Sequence, residues 1–266
     1  MTGFAANSLL CRAALRGDAI DAASFTAIRL ATGAAVLVTL VAARKSSVRG
    51  EGTWLSAFAL AGYAVAFSFA YLQIGAAAGA LLLFGAVQLT MIAGGLIRGE
   101  RPTPRQWLGW LLALAGLVAI NAPRLDPPPL GGALLMMLAG VAWGIYSLRG
   151  RGITRPLVAT AGNFARSVPI AALLVAIAFA TRAHASVLGI ALAAASGGIA
   201  SGLGYSLWYA AVPSLGATRA AVVQLSVPVI TALAAIVLLD EPLRTTVALG
   251  GAAIVGGLAL ALTTKR

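Results

Sequence analysis

Residues 215–260 read LGATRAAVVQLSVPVITALAAIVLLDEPLRTTVALGGAAIVGGLAL, and they decide the fold. Two long apolar runs flank Asp240-Glu241-Pro242, a turn built from residues that end helices. The same marks occur 141 residues earlier without a gap: Gly75 answers Gly216, Thr90 answers Thr231, Glu100 answers Glu241, Gly109 answers Gly250 and Gly116 answers Gly257. Arg29 and Arg166 correspond at an offset of 137, so a gap of four residues lies between the two blocks. An internal repeat of this kind is one structural unit used twice.

Outward from that block the chain divides into ten apolar segments, at 2–15, 24–43, 53–73, 78–97, 105–121, 131–148, 157–181, 187–210, 217–239 and 246–263. A spanning helix needs roughly 20 mainly apolar residues, because it rises about 1.5 Å per residue across a core about 30 Å thick. The separators, such as Arg44-Lys45-Ser46-Ser47, Arg98-Gly99-Glu100-Arg101-Pro102 and Pro127-Pro128-Pro129, are polar or helix-breaking. Residues 1–121 and 131–266 are therefore two five-helix units. Five is odd, so the second copy enters the membrane upside down, an arrangement that places a site between the halves near the midplane. The expected fold class is all-α integral membrane, with ten transmembrane helices as two inverted five-helix repeats. One irregularity stands at the start: Gly3 answers Gly144, which leaves residues 131–142 without a counterpart ahead of Met1. The short first span is expected either to be the remainder of a longer helix or to lie tilted and covered by its neighbours.

Composition agrees with a bilayer. Of 266 residues 60% are hydrophobic and 10% charged, with mean hydropathy +0.95 and net charge +12, too few charges to coat a soluble domain. No Lys/Arg run exceeds Arg44-Lys45, which argues against nucleic acid as a partner. One cysteine, Cys11, and one histidine, His184, leave no disulfide, metal or redox motif, so no metal, cofactor or catalytic residue is expected. The partners expected are a small-molecule substrate and the lipid bilayer, with a homodimer left open. Sorted by loop, Arg44, Lys45, Arg49, Arg98, Arg101, Arg105, Arg149, Arg151, Arg155, Arg219, Lys265 and Arg266 share the N-terminal side; Arg16, Arg124, Arg182 and Arg244 lie opposite. Positive loops stay inside, so both termini are expected in the cytoplasm of a bacterial inner membrane. Trp54, Trp107 and Trp110 then stand at cytoplasmic helix starts, as an interfacial belt does.

Residues 202–260 resemble the EamA type of the drug/metabolite transporter superfamily. Gly204-Tyr205…Trp208-Tyr209, Leu215-Gly216-Ala217-Thr218, Pro228, Asp240-Glu241-Pro242 and Gly250…Gly257 follow the family's order and spacing, and GERPTPRQWLGWLLALAGLVAI at 99–120 echoes them. The resemblance implies a ten-helix carrier whose central cavity opens alternately to either side, exporting amino-acid-related metabolites. Two positions depart from it: Val87 stands where the second copy has Pro228, and Thr2 where it has Trp143.

Polar residues inside spans are costly and hence candidates for a cavity or a helix contact. Arg12 and Arg29 fall near outer helix ends and are expected to snorkel toward water or toward Asp18 and Asp21. Arg166, deeper in helix 7, is a candidate for a substrate carboxylate or, equally, for helix carbonyls. Uncharged candidates are Asn7, Ser8, Gln88, Asn163, Gln224 and Ser226. Pro228 removes a backbone donor and frees the carbonyl of Gln224, which with its side chain offers an acceptor pair suited to an ammonium group. Tyr205, Trp208 and Tyr209 share one helix face, Trp143, Tyr146 and Ser147 share another, and either face is a candidate to stack an apolar or aromatic substrate. Of these Trp143 and Tyr205 are the deeper pair, whereas Trp208 and Tyr209 also fit an interfacial belt. All seven acids lie outside the spans, which argues for facilitated transport or exchange over a midplane proton relay. Glu100 and Glu241 are expected to cap helices 5 and 10. GxxxG spacings such as Gly198…Gly202 are expected to serve helix packing. Composition and periodicity give a carrier architecture, and the resemblance implies that it exports small metabolites, amino acids or related compounds. Efflux of drugs, nucleosides or sugars is the alternative; a membrane enzyme would need a catalytic cluster that the sequence lacks.

Overall fold

The computed structural model describes residues 1–122, 127–180, 183–239 and 244–263. In chain order the helices are α1 (Thr2–Arg16), α2 (Ala22–Ala43), α3 (Trp54–Tyr71), α4 (Ala76–Ile97), α5 (Pro104–Asn121), α6 (Leu130–Arg149), α7 (Pro156–Ala180), α8 (Val187–Ala195), α9 (Gly204–Leu215), α10 (Ala217–Gln224), α11 (Ser226–Leu239) and α12 (Thr245–Leu262). A π-helical segment, Ser196–Leu203, joins α8 to α9, so that Val187–Leu215 is one 29-residue rod. Among the described residues there is no strand, only an isolated bridge between Ile20 and Ala185. Within the described residues eight stretches are long and apolar enough to cross a bilayer; α1, with 15 residues, and α5, which opens Pro104-Arg105-Gln106, fall outside that set. The Asp240-Glu241-Pro242 turn, Arg124, Arg182, Lys265 and Arg266 lie outside the described residues.

Polarity is arranged for lipid. Val187 (86%), Ile97 (85%) and Phe179 (78%) are exposed, while Asn7, Gln88, Asn163 and Gln224 are buried. A water-soluble chain with this surface would aggregate; acyl chains accept it, and they exclude unsatisfied polar groups.

Small residues set the closest helix contacts. A Cβ added to Gly109 would lie 2.6 Å from the Gly257 carbonyl oxygen, and one added to Gly116 would lie 2.5 Å from that of Gly250. As 109 rises to 116 its partner falls from 257 to 250, so α5 and α12 run antiparallel. The contact is also reciprocal: the repeat pairs Gly109 with Gly250 and Gly116 with Gly257, and each member touches the other pair's mate, as in a two-fold interface. Backbones meeting this closely gain dispersion contacts that no larger side chain would permit.

Helix ends follow local chemistry. Thr103 accepts the Gln106 amide N–H and the Gln106 side chain accepts that of Thr103, a complete capping box ahead of Pro104. Removing the hydroxyl in Thr103→Ala should cost about 1 kcal/mol. A melting curve in detergent should therefore show a fall of about 2–4 °C, and an unchanged midpoint would mean that this cap is not formed. The rod ends beyond the anticipated position 210, because α9 continues through Pro213 as far as Leu215. It stops at Gly216, whose φ of 75° and ψ of 169° only glycine adopts without strain. Its repeat mate Gly75 has φ −70°, so the two copies differ in backbone where they agree in residue. Helix α1 has Ala5, Asn7, Cys11 and Ala14 buried, and its Gly3 lies against Ala200, in the middle of the rod.

Candidate functional site

The π segment organises the centre of the bundle. Ser196 and Ser201 are five residues apart, which on an α-helix would separate them by about 140°. Where i→i+5 bonds close the turn they face nearly the same way. Ser196 donates to Asn7 Oδ1 at 2.7 Å, and Ser201 Oγ accepts from Arg29 Nε at 2.9 Å. Gly197 lets the segment come this close, since its Cα side faces the backbone of Arg29 and the Thr32 hydroxyl.

Arg29 is 1% exposed and does not snorkel. Its Nη2 donates to the Tyr205 hydroxyl at 2.6 Å, and its guanidinium carbon lies 5.3 Å from the ring centre of Tyr63 and 5.9 Å from that of Phe67. Asn7 donates to the Tyr63 hydroxyl at 3.4 Å. The expectation that Arg29 reaches toward Asp18 or Asp21 is corrected by this geometry. Asp21 instead caps α2 by accepting the Ser24 amide, and Asp18 pairs with His184 at 2.9 Å. Burial pushes the Asp21 carboxyl up, but hydrogen bonds from Ser24, His184 and Ala23 outweigh it and hold its pKa below the usual value.

Beside the arginine stands a cluster of rings. Trp143 lies 4.5 Å from Tyr205, 5.1 Å from Tyr63, 5.2 Å from Phe4 and 5.5 Å from Tyr146, measured between ring centres. Trp143 Nε1 donates to Gln224 Oε1 at 2.5 Å, and Gln224 Nε2 faces Met91 Sδ at 2.9 Å. Gln224 is the last residue of α10, and the helix restarts at Ser226, the break that Pro228 implies. Its side-chain oxygen, one member of the anticipated acceptor pair for an ammonium group, accepts one hydrogen bond from the indole. Asn7, Trp143, Tyr146, Tyr205 and Gln224 are thus brought together, by α1, α6, α9 and α10. Arg29 joins them in place of an outer helix end, and so do Phe4, Tyr63, Ser196 and Ser201, which no local sequence feature singled out.

The other candidates lie elsewhere. Ser8 bonds back to the Phe4 carbonyl and Ser226 to that of Val223. Gln88 clasps the Ala221 carbonyl at 2.7 Å and accepts from Trp110 Nε1, tying α4 to α10 and α5. Ser147 accepts from Trp208 Nε1, and the Tyr209 hydroxyl donates to the Tyr146 carbonyl. Trp208 and Tyr209 are both buried, so they join α9 to α6 and form no interfacial belt. Asn163 accepts the Thr53 amide. Arg166 donates to the Gly162 carbonyl of its own helix and to the Glu51 carbonyl in the loop between α2 and α3.

These last contacts belong to a polar lattice at the arginine-rich end of the bundle. Arg149 bonds Ser56 and Thr53, and Arg155 pairs with Glu51 at 2.9 Å. Glu100 is its hub. One carboxylate oxygen accepts the Ala217 amide at 2.8 Å and meets Arg151 at 2.5 Å; the other accepts the Thr218 amide and hydroxyl at 3.0 and 2.7 Å. Glu100 therefore caps α10, in the other half of the chain, where it was expected to cap α5. Thr103 and Gln106 already satisfy the start of α5. Burial pushes the Glu100 carboxyl up, but the bonds from Ala217 and Thr218 and the charge of Arg151 outweigh it, leaving its pKa below the ordinary value.

A helical membrane protein with a buried cluster of rings and polar groups at its centre is the class that this geometry defines. Residues 1–122 and 130–263 each match the EamA-like transporter family, and the chain belongs to that family. It is 52% identical over 266 residues to "Uncharacterized protein PA1977" of Pseudomonas aeruginosa, covering 100% of this chain and 92% of that protein. A solved structure described only as "Crystal structure of protein" superposes with a TM-score of 0.80 at 24% identity, over 98% of this chain and 95% of the other, which establishes likeness of fold.

Proposed function

We propose that this chain is an inner-membrane carrier that exports small metabolites, amino acids or related compounds, by alternating access between residues 1–121 and 131–266. The observation that carries the reading is convergence: α1, α2 and α3 from one half and α6, α9 and α10 from the other all direct rings or polar groups into one buried cluster. Family membership supports the transport class, and the antiparallel, reciprocal α5–α12 contact supports an inverted repeat. The arginine-rich loops favour a topology with ten spans and both termini in the cytoplasm. In that orientation the lattice around Glu100 and Glu51 closes the cytoplasmic end. An aromatic cluster suits substrates with an apolar body, since rings bind such groups through area and quadrupole together.

Purified protein in liposomes loaded with a labelled amino-acid panel tests this. Saturable flux of one or more compounds is expected, and the same flux with and without a pH gradient follows from the absence of acids in the spans. If folded protein moved none of the panel, amino-acid export would be withdrawn.

A further inference from the structure

We infer that Arg29 is the receptor for an anionic group, a carboxylate, on the transported molecule; the inference rests on the carrier reading above. An arginine has five N–H donors in a fixed fork. Here Nε is engaged by Ser201 and Nη2 by Tyr205, both neutral hydroxyls, and Nη1 is buried without any hydrogen-bond partner. The hydroxyls of Ser201 and Tyr205 orient the head group and that of Tyr63 also lies beside it, which leaves Nη1 as a buried, unpartnered donor. No described acid neutralises it: Glu100 pairs with Arg151, Glu51 with Arg155, Asp18 with His184, and Asp21 is taken up in capping α2. The faces of Tyr63 and Phe67 soften the desolvation of the cation without supplying a countercharge.

A cation held in a hydrocarbon-embedded core with one donor nitrogen unpartnered is poorly compensated within the protein alone. A carboxylate arriving beside it accepts the Nη1 protons and supplies the missing charge. The arrangement also states a selectivity: an acid or zwitterion gains this contact, whereas a simple amine or a permanent cation meets like charge. The ring of Trp143, 4.5 Å from that of Tyr205, then borders the apolar part of the same molecule. Structural tethering of α2 to the π segment through Nε and to α9 through Nη2 leaves the third nitrogen unexplained.

Reconstituted protein is assayed with 3-phenylpropionate and 3-phenylpropanamide, a pair differing only in the carboxylate, as competitors of labelled amino-acid flux. The acid is expected to compete at least about tenfold better than the amide, because a hydrogen bond to a charged partner is worth that much or more. In Arg29→Lys, which keeps the charge, and Arg29→Gln, which removes it, the ratio should fall in that order toward one. The melting midpoint of the wild-type protein should rise with the acid and not with the amide, a readout that needs neither flux nor a folded variant. Equal competition by acid and amide in active wild-type protein would overturn the anion site and leave the carrier standing. Absence of all flux would count against the carrier reading, and equal melting shifts would then refute the anion site separately.

Discussion

Gly197→Ala should lower the midpoint of thermal unfolding by roughly 6–12 °C, about 3 kcal/mol for a chain of this size. An added Cβ would stand 2.8 Å from Arg29 Cα, and closer still to the Arg29 carbonyl oxygen and the Thr32 hydroxyl. Two of these three atoms are backbone and cannot rotate away. The π segment would have to withdraw from α2, carrying Ser201 away from Arg29 and Ser196 away from Asn7. Flux should fall with stability, because the same displacement opens the polar cluster. The control is the same substitution where there is room. Gly62 and Gly85 lie within α3 and α4 with nothing inside 4 Å of an added Cβ. Alanine there should be neutral or stabilise by up to about 1 kcal/mol through helix propensity. Were all three variants to melt together, the tight contact between the π segment and α2 would be wrong.

That prediction concerns a segment whose sequence conceals its shape. SGGIASGL reads as a packing run with a GxxxG spacing, and packing is part of what it does. What the residues do not display is the turn width. An i→i+5 ladder is chosen by the neighbours that hold Ser196 and Ser201, Asn7 and Arg29, which lie 189 and 172 positions away. Helix placement was legible because apolar runs and polar or glycine punctuation are local. The break after Gln224 was legible too, since Pro228 removes one identifiable backbone bond.

Side-chain direction was the harder part. Depth along a helix can be counted from its ends, but a counted depth does not say which face a residue occupies. Counted from its helix end, Arg29 falls near the membrane surface, within reach of water, Asp18 and Asp21. It is only seven residues beyond Ala22, about 10 Å, yet it points into the bundle toward partners in the other half. Trp208 and Tyr209 fit either a shared face with Tyr205 or a belt near the helix end, and the facing Ser147 and Tyr146 make them interior. Asn7, Trp143, Tyr146, Tyr205 and Gln224 stand out in the sequence because rings and amides deep in spans are scarce. Which of them touch is a property of helix packing, which residue type alone does not encode.

Glu100→Gln should destabilise the protein by about 2 kcal/mol at neutral pH, since a charged acceptor of several hydrogen bonds is replaced by an amide with a single acceptor oxygen. Local rules assigned Glu100 to its own helix, but Thr103 and Gln106 hold that position, and the carboxylate serves Ala217, Thr218 and Arg151 instead. The contact joins the α4–α5 loop to the start of α10 and to the segment after α6, so it fastens one half of the chain to the other. Its pH dependence follows from the lowered pKa. The folded protein holds the ionised form more strongly than the unfolded chain does, so the contribution is complete above the ordinary carboxylate value of about 4.3. It declines as pH falls past that value and is gone once pH is below the lowered folded value. The gap in melting midpoint between wild type and Glu100→Gln should therefore be constant from pH 8 to 6, on the order of 4–8 °C, and should narrow progressively below about pH 4.3. A gap that stayed the same at pH 7.5 and at pH 3.5 would show that the carboxylate's charge plays no part. A gap that widened in acid would reverse the sign of the shift and remove Glu100 as the fastening between the halves.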